Sequence, residues 1–339
     1  MSKITLENIS TKLNISKNTV SKALRGAPGV SEDLRKKIVQ LASEMGYKKA
    51  LQSSDNNLKN ITIIGRKTFF AEVTFWPHVF FGITHYAGEK NIKISIINID
   101  ETKEDKPETF SSIVSHLSDG YIIVGTISDS LLKKIKATNL PIVVVDHFSE
   151  EVDCDYINSS NKTGICKAIK HLYQNNHRNI GFIGNSISAY SFVERYESYL
   201  KYMKEFSLDV CSDFIWLDAE YLNTEYYKKK FKQLHHFENF PSAFVCVNDN
   251  TALTFMNALM EMGMKVPDDI SIIGFDNISE LSYPGLTTID VPKQSMGEKA
   301  VEQLLYRATN PSSPFANIII STQIVQRNSV KNITIKSQG

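Results

Sequence analysis

Residues 5–47 read TLENISTKLNISKNTVSKALRGAPGVSEDLRKKIVQLASEMGY, and this stretch decides how the N-terminal end folds. Thr5 can cap a first helix that carries Leu6, Ile9 and Leu13 on one face. Asn14 stands between Leu13 and Ile15, and Asn tolerates the left-handed backbone that a tight turn needs. Ser16 can cap a second helix, KNTVSKALR, which ends before Gly26. After the turn APG, Ser31 can cap a third helix, EDLRKKIVQLASEM, stopped by Gly46. Its apolar set, Leu34, Ile38, Leu41 and Met45, repeats at helical spacing and can close a small core with Ile9, Val20 and Leu24.

Helix, short turn and capped second helix make a helix-turn-helix plan. The second helix points Lys17, Asn18, Ser21 and Lys22 away from Val20 and Leu24. A polar, basic N-terminal edge of this kind is what a recognition helix must present to base edges in the major groove. Charge agrees with this. In residues 1–60 eleven Lys and Arg face five Asp and Glu, a charge of +6. The 339-residue chain carries +1, so the remainder carries −5. A basic head on a mildly acidic body suggests that the head meets a polyanion and the body does not.

Residues 48–60 are polar, poorly patterned and read as a linker. Beyond them short β-rich runs alternate with helical stretches. One series of strands is 61–65, 92–98, 121–124 and 142–146. A second is 180–184, 214–217, 243–247 and 270–275. Amphipathic helices fit at 78–90, 163–174, 190–205, 249–262 and 293–306. Two such βαβ series predict two Rossmann-like parallel-sheet subdomains, with a small-molecule cleft beyond the strand C-termini. The fold class expected is a small all-α helix-turn-helix domain (1–47) followed by an α/β core (61–339).

The composition, 42% hydrophobic and 22% charged, is that of a globular chain. No apolar run approaches the roughly 18 residues of a membrane span, and MSKITLENIS has no signal pattern, so a cytoplasmic protein without membrane contact is expected. Cys154, Cys166, Cys211 and Cys246 lack ligand spacing and read as buried reduced thiols. His235 and His236 are adjacent, so on a helix they diverge and chelate poorly. HExxH, GxSxG and GxxxxGK[ST] are absent. We therefore expect no catalytic residues, no metal, no cofactor and no enzyme.

The head resembles the LacI/GalR family of bacterial regulators. The resemblance continues through PIVVVD (141–146), NKTGICKAIKHLYQNNHRNIGFIG (161–184), the Arg195 segment, VNDNTA (247–252) and VPDDISIIGFDN (266–277). It implies a periplasmic-binding-protein-like core, with one subdomain near 61–158 and 291–321 and the other near 159–290 and 322–339. It also implies a homodimer on a pseudo-palindromic double-stranded DNA operator, a repressor of sugar-utilisation genes modulated by a small sugar-like effector. A global regulator activated by a phosphocarrier protein, and a solute-binding protein without DNA function, are the alternatives.

By resemblance Lys17, Asn18 and Lys22 read bases, while Ser16, Thr19 and Ser21 contact phosphate; Thr5 and Ser31 join the DNA-facing set. Lys22 stands where many members carry Arg, which replaces a bidentate fork by a point charge. The linker departs further from the family's Pro-Asn-x-x-Ala-Arg-x-Leu hinge. Lys49 and Ala50 replace Pro-Asn, Ser53 and Ser54 replace Ala-Arg, and Asn56 falls where the Leu belongs. An apolar wedge is what kinks a base step, so either the operator is bent less or Leu58 serves after a register shift.

On the core, the resemblance assigns Asp146, Arg195, Asn248 and Asp276 to the effector, with Phe69, Phe75, Trp76, Phe80 and Tyr221 as walls. Trp76 could pack on a sugar ring or belong to the core, and a nucleobase could stack on the same aromatics. Asp249 reads as a helix cap rather than a ligand contact, and His177 as a structural turn residue.

Overall fold

The computed structural model describes residues 5–24, 30, 31, 33, 34, 37, 38, 41, 58–185, 189–219, 223–278 and 285–333, the side chains of Ser21, Lys22 and Leu24 excepted. The chain forms two compact units, 1–56 and 57–339.

In the first unit, α1 (Leu6–Leu13) begins at a reciprocal cap. Thr5 Oγ1 accepts from the Asn8 amide, and Asn8 Oδ1 accepts from the Thr5 amide at 2.7 Å. Asn14 ends the helix with φ 53° and ψ 46°, the left-handed region, and its amide reaches back to the carbonyls of Ser10 and Thr11. Helix α2 (Lys17–Leu24) follows at once, with Ser16 Oγ accepting from the Thr19 amide at 3.0 Å. Ile9, Val20, Ala23 and Ile38 form the buried centre, flanked by Leu6, Leu13, Ile15, Val30, Leu34 and Leu41. Residues 33, 34, 37, 38 and 41 are helical. Met45 and the Leu24 side chain lie outside the described residues.

The second unit holds two six-stranded sheets. β1 (Asn60–Arg66), β2 (Lys93–Ile99), β3 (Gly120–Val124), β4 (Ile142–Val145) and β5 (Asp155–Ser159) form the first with β11 (Asn317–Ile320). Its order is β11-β5-β4-β3-β1-β2, and every pairing is parallel. β6 (Ile180–Ile183), β7 (Ile215–Trp216), β8 (Ala243–Cys246), β9 (Ser271–Asp276), β10 (Thr287–Asp290) and β12 (Gln323–Val325) form the second. Its order is β12-β10-β9-β8-β6-β7, with only β10–β12 antiparallel. The chain therefore passes between sheets three times, at 159–180, 290–317 and 320–323. β3 and β4 are buried along their whole length because helices cover both faces, as their unbroken apolar runs require.

Around the sheets lie α3 (Lys67–Ala71), α4 (Trp76–Glu89), α5 (Pro107–Ser115), α6 (Asp129–Lys136), α7 (Asn161–Gln174), α8 (Tyr190–Glu205), α9 (Thr224–Leu234), α10 (Asp249–Glu261) and α11 (Lys293–Thr309). α4 and α11 cross so closely that a Cβ on Gly82 would sit 2.0 Å from the Gln294 carbonyl oxygen. A Cβ on Gly297 would sit 2.1 Å from that of Val79. At the far end of α11, Arg307 forks onto the buried Asp155 carboxylate at 2.7 and 2.9 Å, which ties the helix to β5. No helix of the described residues is long and apolar enough to cross a membrane.

Leu58 corrects one expectation. It is 7% exposed and belongs to the apolar core that also contains Ile61, Val79 and Ile83. A side chain already filling a core is not available as a minor-groove wedge.

Candidate functional site

A cavity of about 350 Å³ opens where the C-terminal ends of the strands of both sheets converge. From the first sheet come Thr68 and Phe69 of α3, Glu72, Thr74, Phe75 and Trp76 at the start of α4, Gly125 and Thr126 after β3, and Asp146 after β4. The second sheet supplies Asn185, Ser191, Phe192, Arg195, Val247, Asn248, Asn250, Thr251 and Asp276.

Backbone geometry aims the two aspartates. Asp146 has φ 55° and Asp276 φ 101°, so each strand leaves its extended path as it enters the cleft. The turn after β9 is held from below by Lys293, whose Nζ donates to the carbonyls of Asp276, Asn277 (3.3 Å) and Val291 (3.2 Å). Burial pushes the Lys293 ammonium below its usual range, and the nearby Asp276, Asp290 and Asp249 carboxylates oppose that shift.

Arg195, 1% exposed, is the hinge of the polar floor. Its Nε donates to Asn161 Oδ1 at 2.8 Å and its Nη1 to the Val247 carbonyl at 2.8 Å. Nη2 lies 3.0 Å from Asp276 Oδ1. The guanidinium also stacks 3.8 Å above the Phe275 ring centroid. Asp146 is held more loosely, by Ser191 Oγ at 3.3 Å from Oδ2, and its Oδ1 is buried without a hydrogen bond. Burial raises its carboxyl from 3.8 to about 7; Arg195 works against this rise, and Asp276 and Glu194 add to it.

Asn248 caps α10, its Oδ1 accepting from the Thr251 amide at 2.9 Å. Asp249, expected as the cap, is instead the first helical residue. Its buried carboxylate accepts from the Ile278 amide at 2.9 Å and the Thr288 hydroxyl at 2.6 Å, so it braces the loop beyond Asp276. Across the cleft mouth Asn250 Nδ2 donates to Thr74 Oγ1 at 3.2 Å. Glu72 caps α4 by accepting from the amides of Thr74, Phe75 and Trp76 at 2.7, 2.8 and 3.0 Å.

Of the expected wall residues, Phe69, Phe75 and Trp76 line the cavity, with ring centroids 5.1 Å apart from Phe69 to Trp76 and from Phe75 to Trp76. Phe80 does not. It lies one turn further along α4 and stacks on Phe70 at 4.9 Å. Tyr221 lies outside the described residues. Asn161, Glu72, Ser191 and Asn250 were not anticipated. Asn161, which opens the NKTG motif, and Asn250, within VNDNTA, carried a signal; Glu72 and Ser191 did not.

In the head, Lys17 and Asn18 are exposed at the first turn of α2, and Lys17 lies 3.7 Å from the exposed Glu7 carboxylate. Ser16 and Thr19 share a hydroxyl contact at 2.8 Å, while Thr5 and Ser31 are exposed. The side chains of Ser21 and Lys22 lie outside the described residues.

Residues 5–49 match the model of the bacterial regulatory proteins of the lacI family, and residues 169–330 match that of the periplasmic binding protein-like domain. The head is thus similar to the LacI family, and the body to a periplasmic-binding-protein-like domain. A relative from Bacillus subtilis (strain 168), the probable HTH-type transcriptional repressor ExuR, is 28% identical over 98% of this chain and 99% of its own. Among solved structures, the transcriptional regulator CelR–cellobiose complex superposes with a TM-score of 0.71 at 19% identity, covering 96% of this chain and 99% of that one. The lac repressor dimer bound to operator gives 0.68 at 19% identity over 97% and 100%. The fold of these structures thus runs the length of the chain, with the head and both sheets accounted for. His177, in the family's turn between α7 and β6, is buried. It contacts Ser242 Oγ at 2.8 Å and the Lys331 carbonyl at 3.1 Å, and burial lowers its imidazole to about 4.

Proposed function

We propose that this chain is a sequence-specific DNA-binding transcription regulator, a repressor that works as a homodimer and answers to a small sugar-like effector held in the cleft. The observation that carries the proposal is one chain joining a capped helix-turn-helix, with Lys17 and Asn18 exposed on its second helix, to a cleft floored by Asp146, Arg195 and Asp276. Lys can donate to guanine O6 and N7, and Asn can read adenine. Ser16 and Thr19 set the register of the helix on phosphates.

Pairing is supported by the outer face of the first subdomain. Phe81 on α4 and Ile96 on the edge strand β2 are each 54% exposed. Two heads held by a paired core read half-sites about one or more helical turns apart. The effector acts through its difference in affinity for the DNA-competent and incompetent arrangements of the core, which the three chain crossings join.

A gel shift on the DNA upstream of the protein's own gene tests the proposal. Binding by the native chain, lost in the Lys17→Ala/Asn18→Ala double variant, supports it. Retention by the double variant removes the recognition helix from the account.

A further inference from the structure

We infer that the cleft is selective for an uncharged, donor-rich polyol, a free monosaccharide, and discriminates against anionic ligands such as sugar acids and sugar phosphates. The inference rests on the proposed effector role of the cleft and adds the charge class of what fills it.

The polar lining has a surplus of acceptors. Asp146 Oδ1 is buried without a hydrogen bond, while Asp276 Oδ1 meets only the Arg195 guanidinium at 3.0 Å, and an ionised carboxylate oxygen only accepts. A buried polar atom left unmet is costly, so the occupant must bring donors to it. A sugar hydroxyl does this and still offers lone pairs to the lining amide of Asn248. A carboxylate or phosphate brings no donor to these oxygens.

Positive charge is scarce. Arg195 is the one cationic side chain among the described lining residues. Three of its nitrogens are already engaged, with Asn161, the Val247 carbonyl and Asp276, so its charge is met within the protein. Among the described residues Asp146 and Glu72 make no ion pair, although the Arg195 charge partly offsets that of Asp146.

The N-terminus of α10 faces the cleft and would by itself favour an anion. Here its Thr251 amide is taken by Asn248 Oδ1, and the Asp249 carboxylate sits in its first turn. With Asp276 paired to Arg195, an anion still meets like charge from Asp146 and Glu72 at short range in a low-dielectric pocket, and about a hundredfold loss of affinity is expected. The apolar wall of Phe69, Phe75 and Trp76 suits the C–H face of a pyranose or furanose, and about 350 Å³ lies near the small end of ligand pockets.

Calorimetry on the full chain at pH 8 tests this, with pentoses and hexoses each run beside its uronic acid and its phosphate ester. The expected result is saturable binding of at least one neutral sugar, with its acid and phosphate at least 100-fold weaker. Asp146→Asn, which removes one like charge, should narrow that gap at least tenfold. A uronic acid or phosphate that binds as tightly as its neutral parent overturns the inference. So does a panel in which no neutral sugar binds, or in which only purine bases bind. A gel shift with the same preparation separates the two levels: DNA binding that persists beside an overturned panel leaves the regulator standing and removes only the ligand class.

Discussion

Ser191 Oγ donates to Asp146 Oδ2 at 3.3 Å, and the bond joins the second subdomain to the first across the cleft. Among the described residues it is the one hydrogen bond to the buried Asp146 carboxyl, which burial lifts to about 7. The effector is expected to complete what Ser191 begins, by donating a hydroxyl to the free oxygen.

Effector affinity should therefore depend on pH. The ionised form of Asp146 is the better acceptor, so binding favours loss of its proton. With the free carboxyl titrating at about 7, the effector should bind about tenfold more weakly at pH 6 than at pH 8. Calorimetry at the two pH values measures this, and an Asp146→Asn variant should lose the dependence.

Stability should run in the opposite direction. Asp146 and Asp249 both have folded values of about 7 against 3.8 unfolded. Between these limits the folded chain binds more protons than the unfolded one. Its stability is therefore greatest below pH 4 as far as these two groups are concerned, falls as pH rises to about 7, and then levels. Urea melts of the native chain and Asp146→Asn between pH 5 and 8 should show a shallower fall in the variant.

Removing Arg195 should unfold the floor rather than merely empty it. Arg195→Ala leaves Asp276 buried and unpaired, and loss of one partner of a buried pair costs about 3–5 kcal/mol. Arg195→Lys keeps the charge but cannot reach Asn161, Val247 and Asp276 together, so it should melt lower than native and bind effector poorly. Thermal melts with and without sugar distinguish the two variants.

The α4–α11 crossing gives a test independent of the cleft. Gly82→Ala drives a methyl against the Gln294 backbone, and neither helix can yield without moving the sheet beneath it. A loss of about 1–3 kcal/mol is expected, the usual range for overpacking. Gly88→Ala on the same helix meets no atom within 4 Å and should be neutral or mildly stabilising.

Pairing is tested at Phe81. Phe81→Asp places a charge on the exposed apolar face of α4 and should shift the chain towards monomer in sedimentation. DNA affinity should fall with it while sugar binding persists, because the cleft lies within one chain.

The elements legible in the sequence were those whose stability is local or periodic. The run IVVVD predicts a strand over 142–146, and β4 ends at Val145, with Asp146 turned into the cleft. Asn14 in a left-handed turn and Ser16 as a cap follow from side-chain chemistry within four residues. β5, with sequence DYINS, escaped because its burial is supported by Arg307, 152 residues away, rather than by apolar alternation. Leu58, offered as a wedge after a register shift, was misplaced for a related reason: a count along the linker says nothing of the core that β1 brings to it. Glu72 and Ser191 carry no motif, since their roles arise only when the two sheets face each other.

The central claim is that the cleft and the head are coupled. It is tested most directly by a gel shift on the upstream DNA, with and without a saturating amount of the neutral sugar selected by calorimetry. The account predicts that the sugar changes the apparent Kd for DNA at least tenfold, a coupling of about 1.4 kcal/mol. An unchanged Kd at full occupancy of the cleft would contradict it.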